Sequence, residues 1–174
     1  RPLRKMREYV ELLRLVTRAR RGERVDHQGQ IHRMSGWRCQ VDPIRESIPI
    51  VLAATSPKMT RLAASIADGI GLGSLQSAEY VAGIAAECRS IAARDDFSVM
   101  MAALVAVDED GARAREAARA AVVGLYAGKP HPHYDALLRA QGHRRVAEDV
   151  DRFVRQGDLA AARRSVTDEV VDRL

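Results

Sequence analysis

Apolar positions near the start of the chain recur at helical spacing. Leu3, Met6, Val10, Leu13 and Val16 or Thr17 share one stripe, which predicts an amphipathic helix over residues 2–20. Pro2 suits the first turn of that helix and Gly22 its end. The pattern then loosens. "ERVDHQGQIHRM" alternates around Gln28-Gly29 and reads as a short hairpin or an irregular excursion. Residues 35–47, with Gly36, Pro43 and the lone Trp37, read as loop. At Ile48 the pattern changes again. Ile48–Ala54 is a near-continuous apolar run, as in a parallel strand covered on both faces. A helix starts at Pro57 with Met59, Leu62, Ala63 and Ile66 on one face, and Asp68-Gly69 stops it. Ile70–Gly73 is short and strand-like. Ser77 can cap a helix to about Ala93. Phe97–Val107 is the longest strand candidate. An alanine-rich helix runs from there to about Tyr126. "AGKPHPH" breaks it, and helices follow over roughly 133–141, 144–156 and 158–174.

Strands alternating with helices predict an α/β fold with right-handed βαβ units and a parallel sheet. A doubly wound sheet and a (β/α) barrel both fit. The chain divides into an amphipathic basic helix (1–24), an insertion or loop (25–47), βα units (48–126) and a helical segment (127–174). Both ends lie inside helical patterns, so residues 1–174 read as a single domain that is a fragment of something larger.

Composition narrows the function classes. Apolar residues make up 47% and charged residues 29%, a globular balance. No apolar run approaches the ~20 residues that span a bilayer, and the charged start has no secretory pattern, so no membrane role is expected. Cys39 and Cys88 stand far apart, as two unpaired thiols of a reducing cytoplasm would. The net charge of +5 is local: residues 1–24 carry nine Lys/Arg against three Glu. With aromatics at 4%, the stacking groups of a nucleic-acid binder are lacking and no such partner is expected.

Candidate chemistry centres on Thr55-Ser56-Pro57-Lys58. Ser56 is an N-cap with proline at the first helical position. This turn follows a strand, where α/β proteins bind ligands. The free N–H groups and dipole of the next helix would favour an anion such as phosphate, and Lys58 opposes the dipole unless an anion is near. By spacing alone, an ordinary Ser-Pro cap with a solvated lysine is the simpler reading. "DGIGLGS" (68–74) lacks the strand–turn–helix context of a dinucleotide fingerprint. Its Gly71 and Gly73 suit either tight packing or close approach of a ligand or backbone. "DEDG" (108–111) lacks the later ligands of a calcium loop and reads as a helix cap. His131–His133, with His27 and His32 elsewhere, has no partners at metal spacing, and no metal site is expected. No nucleophile elbow, phosphate loop or acid/base pair occurs, so no catalytic residue is assigned.

Four segments together resemble luciferase-like monooxygenases. "IPIVLAATSPKMTRLAASIADGIGLG" is the most specific of them. "MREYVELLRLVTRARRGERVDHQGQIHRM", "VMMAALVAVDEDGARAREAAR" and "GDLAAARRSVTDEVVDRL" extend the likeness over nearly the whole chain. The nearest branch is the methylenetetrahydromethanopterin-reductase-like proteins that use the deazaflavin coenzyme F420. The resemblance implies a partial (β/α)8 TIM barrel, with strands similar to the fifth, sixth and seventh; the first four would precede Arg1 and the eighth would follow Leu174. It implies a cytoplasmic, usually homodimeric oxidoreductase that transfers hydride between coenzyme F420 and a small organic substrate. By the same resemblance, the coenzyme phosphate falls on Ala54, Thr55, Ser56 and Lys58, with Gly73 and Ser74 at the next strand end. The family usually has glycine where Ser56 stands. Two other readings are an FMN-dependent monooxygenase of the same superfamily and a truncated, non-catalytic cofactor-binding or dimerisation module.

Overall fold

A computed structural model of the chain describes residues 2–127 and 133–174. The chain divides into two compact units, residues 1–71 with 86–100 and residues 72–85 with 101–174. Among the described residues no helix is long and apolar enough to cross a membrane.

The first unit opens with α1 (Pro2–Arg18), as the stripe predicts, and holds α2 (Pro57–Ile66) beside it. The two helices run in the same direction. Leu3 and Arg7 of α1 share a groove with Lys58 and Leu62 of α2, while Arg14 reaches the far end and donates to Ile66 O at 3.0 Å. The excursion after α1 is a hairpin. β1 (Arg24–Gln28) pairs antiparallel with β2 (Arg33–Arg38), Val25 opposite Trp37 and His27 opposite Met34. Ser35–Arg38 were expected as loop and are strand instead. Trp37 and Met34 pack on the buried Ala19, Val25 and Cys39, and that apolar contact fixes the register.

Glu8 ties the hairpin to α1. Its buried carboxylate accepts from Ile31 N at 2.8 Å, His32 N at 3.1 Å and Gln30 N at 3.2 Å. The Ile31 N–H chiefly holds this carboxyl below the ordinary glutamate range, helped by the His32 and Gln30 N–H groups and the His32 charge, with burial opposing. A depressed folded value means stability that is present above the unfolded pKa and lost as pH falls through the folded one. Acid titration followed by amide exchange should therefore show the 29–32 turn opening at a pH below the ordinary glutamate range. In Glu8→Gln the same turn should be open already at neutral pH.

Three short strands form the parallel sheet, β3 (Val51–Ala53), β4 (Gly69–Leu72) and β5 (Ser98–Met101), in that spatial order. Val51, Leu52 and Ala53 pair with Gly69, Ile70 and Gly71. Ser98 N donates to Asp68 O and Ala102 N to Leu72 O, so β5 also runs parallel to β4. Sequential order with parallel pairing is the arrangement of consecutive barrel strands.

The strands differ from the sequence reading in two ways. The expected strand 48–54 shrinks because Pro49 has no N–H and the Ile50 N–H goes to the Asp68 carboxylate at 2.7 Å rather than to a ladder. Leu52 is buried, but Ala53 is exposed, so this strand is covered on one face rather than both. The expected strand 97–107 ends at Met101. β5 has β4 on one side and no strand on the other among the described residues, and Val105 and Val107 are exposed. β-propensity without a partner strand does not hold a ladder.

The second unit is mainly helical. α3 (Ala78–Ile91) begins here, capped as expected, with Ser77 Oγ accepting from Tyr80 N at 3.2 Å; it continues past Ala85 in the first unit. There Cys88 is fully buried, which pushes its thiol pKa up, and neither cysteine is paired. α4 (Gly111–Tyr126) is capped by Asp110, whose Oδ1 accepts from Ala112 N at 2.9 Å, so "DEDG" is the cap it reads as. α5 (His133–Ala140) and α6 (Arg144–Gln156) follow, and Gly157 ends α6 with a φ of 78°. The expected last helix, 158–174, splits into α7 (Leu159–Ser165) and α8 (Asp168–Arg173). Thr167 restarts the chain by capping Val170 N, and Val166 between them is buried. Leu138, Val150, Val166 and Val170 form the centre of this unit's core.

Candidate functional site

The turn between β3 and α2 is built from a buried anchor and an exposed arc. Ala54 is 1% exposed, and its N–H donates to Gly71 O at 3.1 Å. That group is committed to the sheet. Thr55, Ser56, Pro57 and Lys58 are all exposed. Ser56 caps α2, but its Oγ accepts from Met59 N at a long 3.4 Å, while its carbonyl takes Thr60 N at 2.9 Å. The N–H groups of Thr55, Ser56 and Lys58 have no acceptor among the described residues. Free N–H groups, two hydroxyls and the positive end of a helix dipole are a donor set for an anion. Ser56 has φ −108° and ψ 146°, extended backbone that any residue adopts, so nothing in its conformation calls for glycine.

Lys58 does more than flank this turn. It lines a groove of about 500 Å³ between α1 and α2 with Arg4, Arg7 and Arg61, over Leu3, Leu62 and Ser65. Among the described residues no carboxylate lines it. Arg61 pairs with Glu87 at 2.7 Å and Arg4 donates to Gln30. Arg7 and Lys58 have no ion-pair partner among the described residues. The basic run of residues 1–24 is thus a wall of a positive groove as well as a solvated face. Sequence reasoning missed this, because only the α1–α2 packing brings Arg4 and Arg7 to Lys58.

Gly73 and Ser74 belong to the second unit, just past the end of β4, and are half-buried. A Cβ at Gly73 would meet nothing within 4 Å, so space beside it is open. Gly71 has only ordinary neighbours, Ala53 Cα at 3.9 Å being the nearest. The close backbone approach expected at Gly71 and Gly73 occurs at Gly69 instead, where a Cβ would lie 2.7 Å from Ser98 O. Of the histidine cluster, His131 lies outside the described residues and His133 starts α5. Among the described residues no three His, Cys, Asp or Glu converge as metal ligands.

The profile of the luciferase-like monooxygenase family matches residues 1–174. The chain belongs to that family. Its relatives include two 5,10-methylenetetrahydromethanopterin reductases. The one from Archaeoglobus fulgidus is 33% identical over 98% of this chain and 52% of its own length. The one from Methanolobus tindarius is 30% identical over 87% of this chain and 46% of its own. The chain spans about half the length of the curated relatives it matches. The solved structure of a coenzyme F420-dependent tetrahydromethanopterin reductase from Methanopyrus kandleri superposes with a TM-score of 0.74 at 23% identity, over 99% of this chain and 50% of that one. The α/β architecture is therefore that of half of this reductase. Among the described residues, the Thr55–Lys58 turn offers donors that fit an anionic group.

Proposed function

We propose that this luciferase-like chain forms the carboxyl-side portion of a (β/α)8 barrel oxidoreductase and holds the anionic end of coenzyme F420 on the Thr55–Lys58 turn. The observation that carries the reading is the set of unengaged N–H groups at the carboxyl end of β3, with Lys58 beside them. The names of the relatives support the choice of coenzyme and a reductase rather than a monooxygenase reaction. When bound, the coenzyme would supply the hydride chemistry. This chain's part is to bind and orient it: Thr55, Ser56 and Lys58 as donors, Ala54 fixing the turn to the sheet, and Gly73 and Ser74 as a further contact. The substrate is a small organic molecule, and the working form is a cytoplasmic homodimer.

Titration of the intact protein with coenzyme F420 and, separately, with FMN tests the reading, since each reports binding by its own fluorescence. F420 should bind and FMN should bind more weakly or not at all. Saturable binding of FMN alone would replace the coenzyme, and binding of neither would leave the non-catalytic module. Lys58→Glu should weaken F420 binding by about 1–2 kcal/mol, the scale of a charge at a helix end. That is roughly a five- to thirtyfold rise in Kd. An unchanged Kd would remove Lys58 from the site.

A further inference from the structure

The Gly73–Ser77 loop carries two costs that joining β4 to α3 does not require. Leu75 has a φ of 65°, the left-handed region, and is the one non-glycine residue there among the described residues. A branched apolar side chain is strained in that region. Gln76 is 3% exposed. Its Nε2 donates to Gly73 O at 3.0 Å, but its Oε1 is buried without a donor among the described residues. Strain and an unpaired acceptor persist only where the surroundings over-determine the backbone.

The surroundings do so here. Gln141, one residue past α5, reaches the loop with both ends of its amide. Its Oε1 accepts from Ser77 N at 2.7 Å, and its Nε2 donates to Leu75 O at 2.8 Å and to Leu137 O at 3.1 Å. The Leu75 side chain is buried in the cluster of Val122, Leu138 and Val146. One amide and one apolar anchor therefore pin both the strained residue and the N–H of the residue that caps the helix that follows. Gly73 and Ser74 precede the pinned segment and face open space at Gly73.

We infer that Gln141 is a positioning residue, whose amide holds the strained Gly73–Ser77 loop so that the backbone of Gly73 and Ser74 meets the coenzyme already shaped. This rests on the coenzyme reading above. Preformed backbone lowers the ordering cost of binding, so releasing it should appear in affinity.

The test uses Gln141→Ala and Gln141→Glu in the intact protein, well below each variant's melting temperature. Amide exchange without coenzyme is read first. In Gln141→Ala, exchange at Leu75–Ser77 should rise at least about tenfold while α6 keeps wild-type rates, as expected for local opening. Fluorescence titration should then show the F420 Kd raised by roughly tenfold, the size of a lost preorganisation term. Gln141→Glu keeps the acceptor for Ser77 N–H but cannot donate to Leu75 O, and should fall between. Should Gln141→Ala fail to fold, Gln141→Glu carries the same comparison. Wild-type exchange at Leu75–Ser77 in the variants would overturn the positioning role. So would a loosened loop with an unchanged Kd, which would leave Gln141 a structural residue only. Failure of the wild-type protein to bind F420 would instead sink the coenzyme reading.

Discussion

Replacing Asp68 with alanine is expected to cost about 3 kcal/mol of stability, toward the lower end of what removing one partner of a buried ion pair costs. The side chain of Asp68 is 11% exposed, and it serves four pieces of the first unit at once. It takes Arg14 of α1 at 3.0 Å, the Ile50 N–H just before β3 at 2.7 Å, and Arg94 after α3, while its own backbone precedes β4. Losing the carboxylate strands the Ile50 N–H, which has no ladder partner, and leaves the Arg14 guanidinium, about a quarter exposed, without its charge partner. Arg94 is more open and can rehydrate, which keeps the loss from being larger. Asp68→Asn keeps the volume and an acceptor for Ile50, and should recover part of the stability. Asp68 also lies at the amino end of β4, opposite the strand end that carries the proposed site, and in barrels residues at the amino end serve stability. Urea unfolding should therefore show the loss, while the F420 Kd of the folded variant stays near wild type. An unfolding free energy within about 1 kcal/mol of wild type would break this account, since an exposed pair is worth no more.

How much of this was legible in the sequence depended on how local each signal was. The α1 stripe, the Ser56-Pro57 start of α2, the Ser77 cap and the Asp110 cap were all readable, because each is written in spacings of no more than four residues. Strand lengths were not. Ile48–Ala54 and Phe97–Val107 are apolar enough, but a strand extends only as far as a neighbour accepts its N–H groups. Pro49 and the Asp68 carboxylate shorten one, and the lack of a strand on the far side of β5 among the described residues shortens the other. The turn at Thr55–Lys58 could be placed at a strand end from sequence. That Ala54 has already given its N–H to Gly71 could not, because the acceptor lies seventeen residues on, across a ladder. Gln141 left no signal at all. It is one glutamine after a helix, more than sixty residues from the loop it holds. Asp68 reads as a helix stop, and its second role as a four-way clasp depends on arginines fifty-four residues before it and twenty-six after it.

Gly69 and Gly73 stand four residues apart in one glycine-rich segment, and they should respond in opposite ways to the same substitution. At Gly69 an added Cβ would lie 2.7 Å from the carbonyl oxygen of Ser98 and would also overlap the Ser98 hydroxyl. The hydroxyl can rotate away. The carbonyl is part of β5, and moving it strains the backbone bond by which Ser98 N donates to Asp68 O at 3.1 Å. Gly69→Ala should therefore cost up to about 3 kcal/mol, the upper range for overpacking a tight site. For a chain of this size that is a fall in Tm of roughly 6–12 °C. Adding Ser98→Ala should restore only a minor part, because the carbonyl remains. Full restoration would mean that β5 moves freely and that the sheet does not set the spacing. Gly73→Ala meets no atom within 4 Å and should leave Tm nearly unchanged. The new methyl would occupy the open space beside the backbone that the proposed site offers to the coenzyme, so on that proposal the F420 Kd should rise several-fold, as for any lost close approach of backbone to ligand. A stability loss at Gly73, or an affinity loss without a stability loss at Gly69, would invert the roles assigned to the two glycines. The packing glycine and the ligand-facing glycine are then told apart by which of two measurements each one moves.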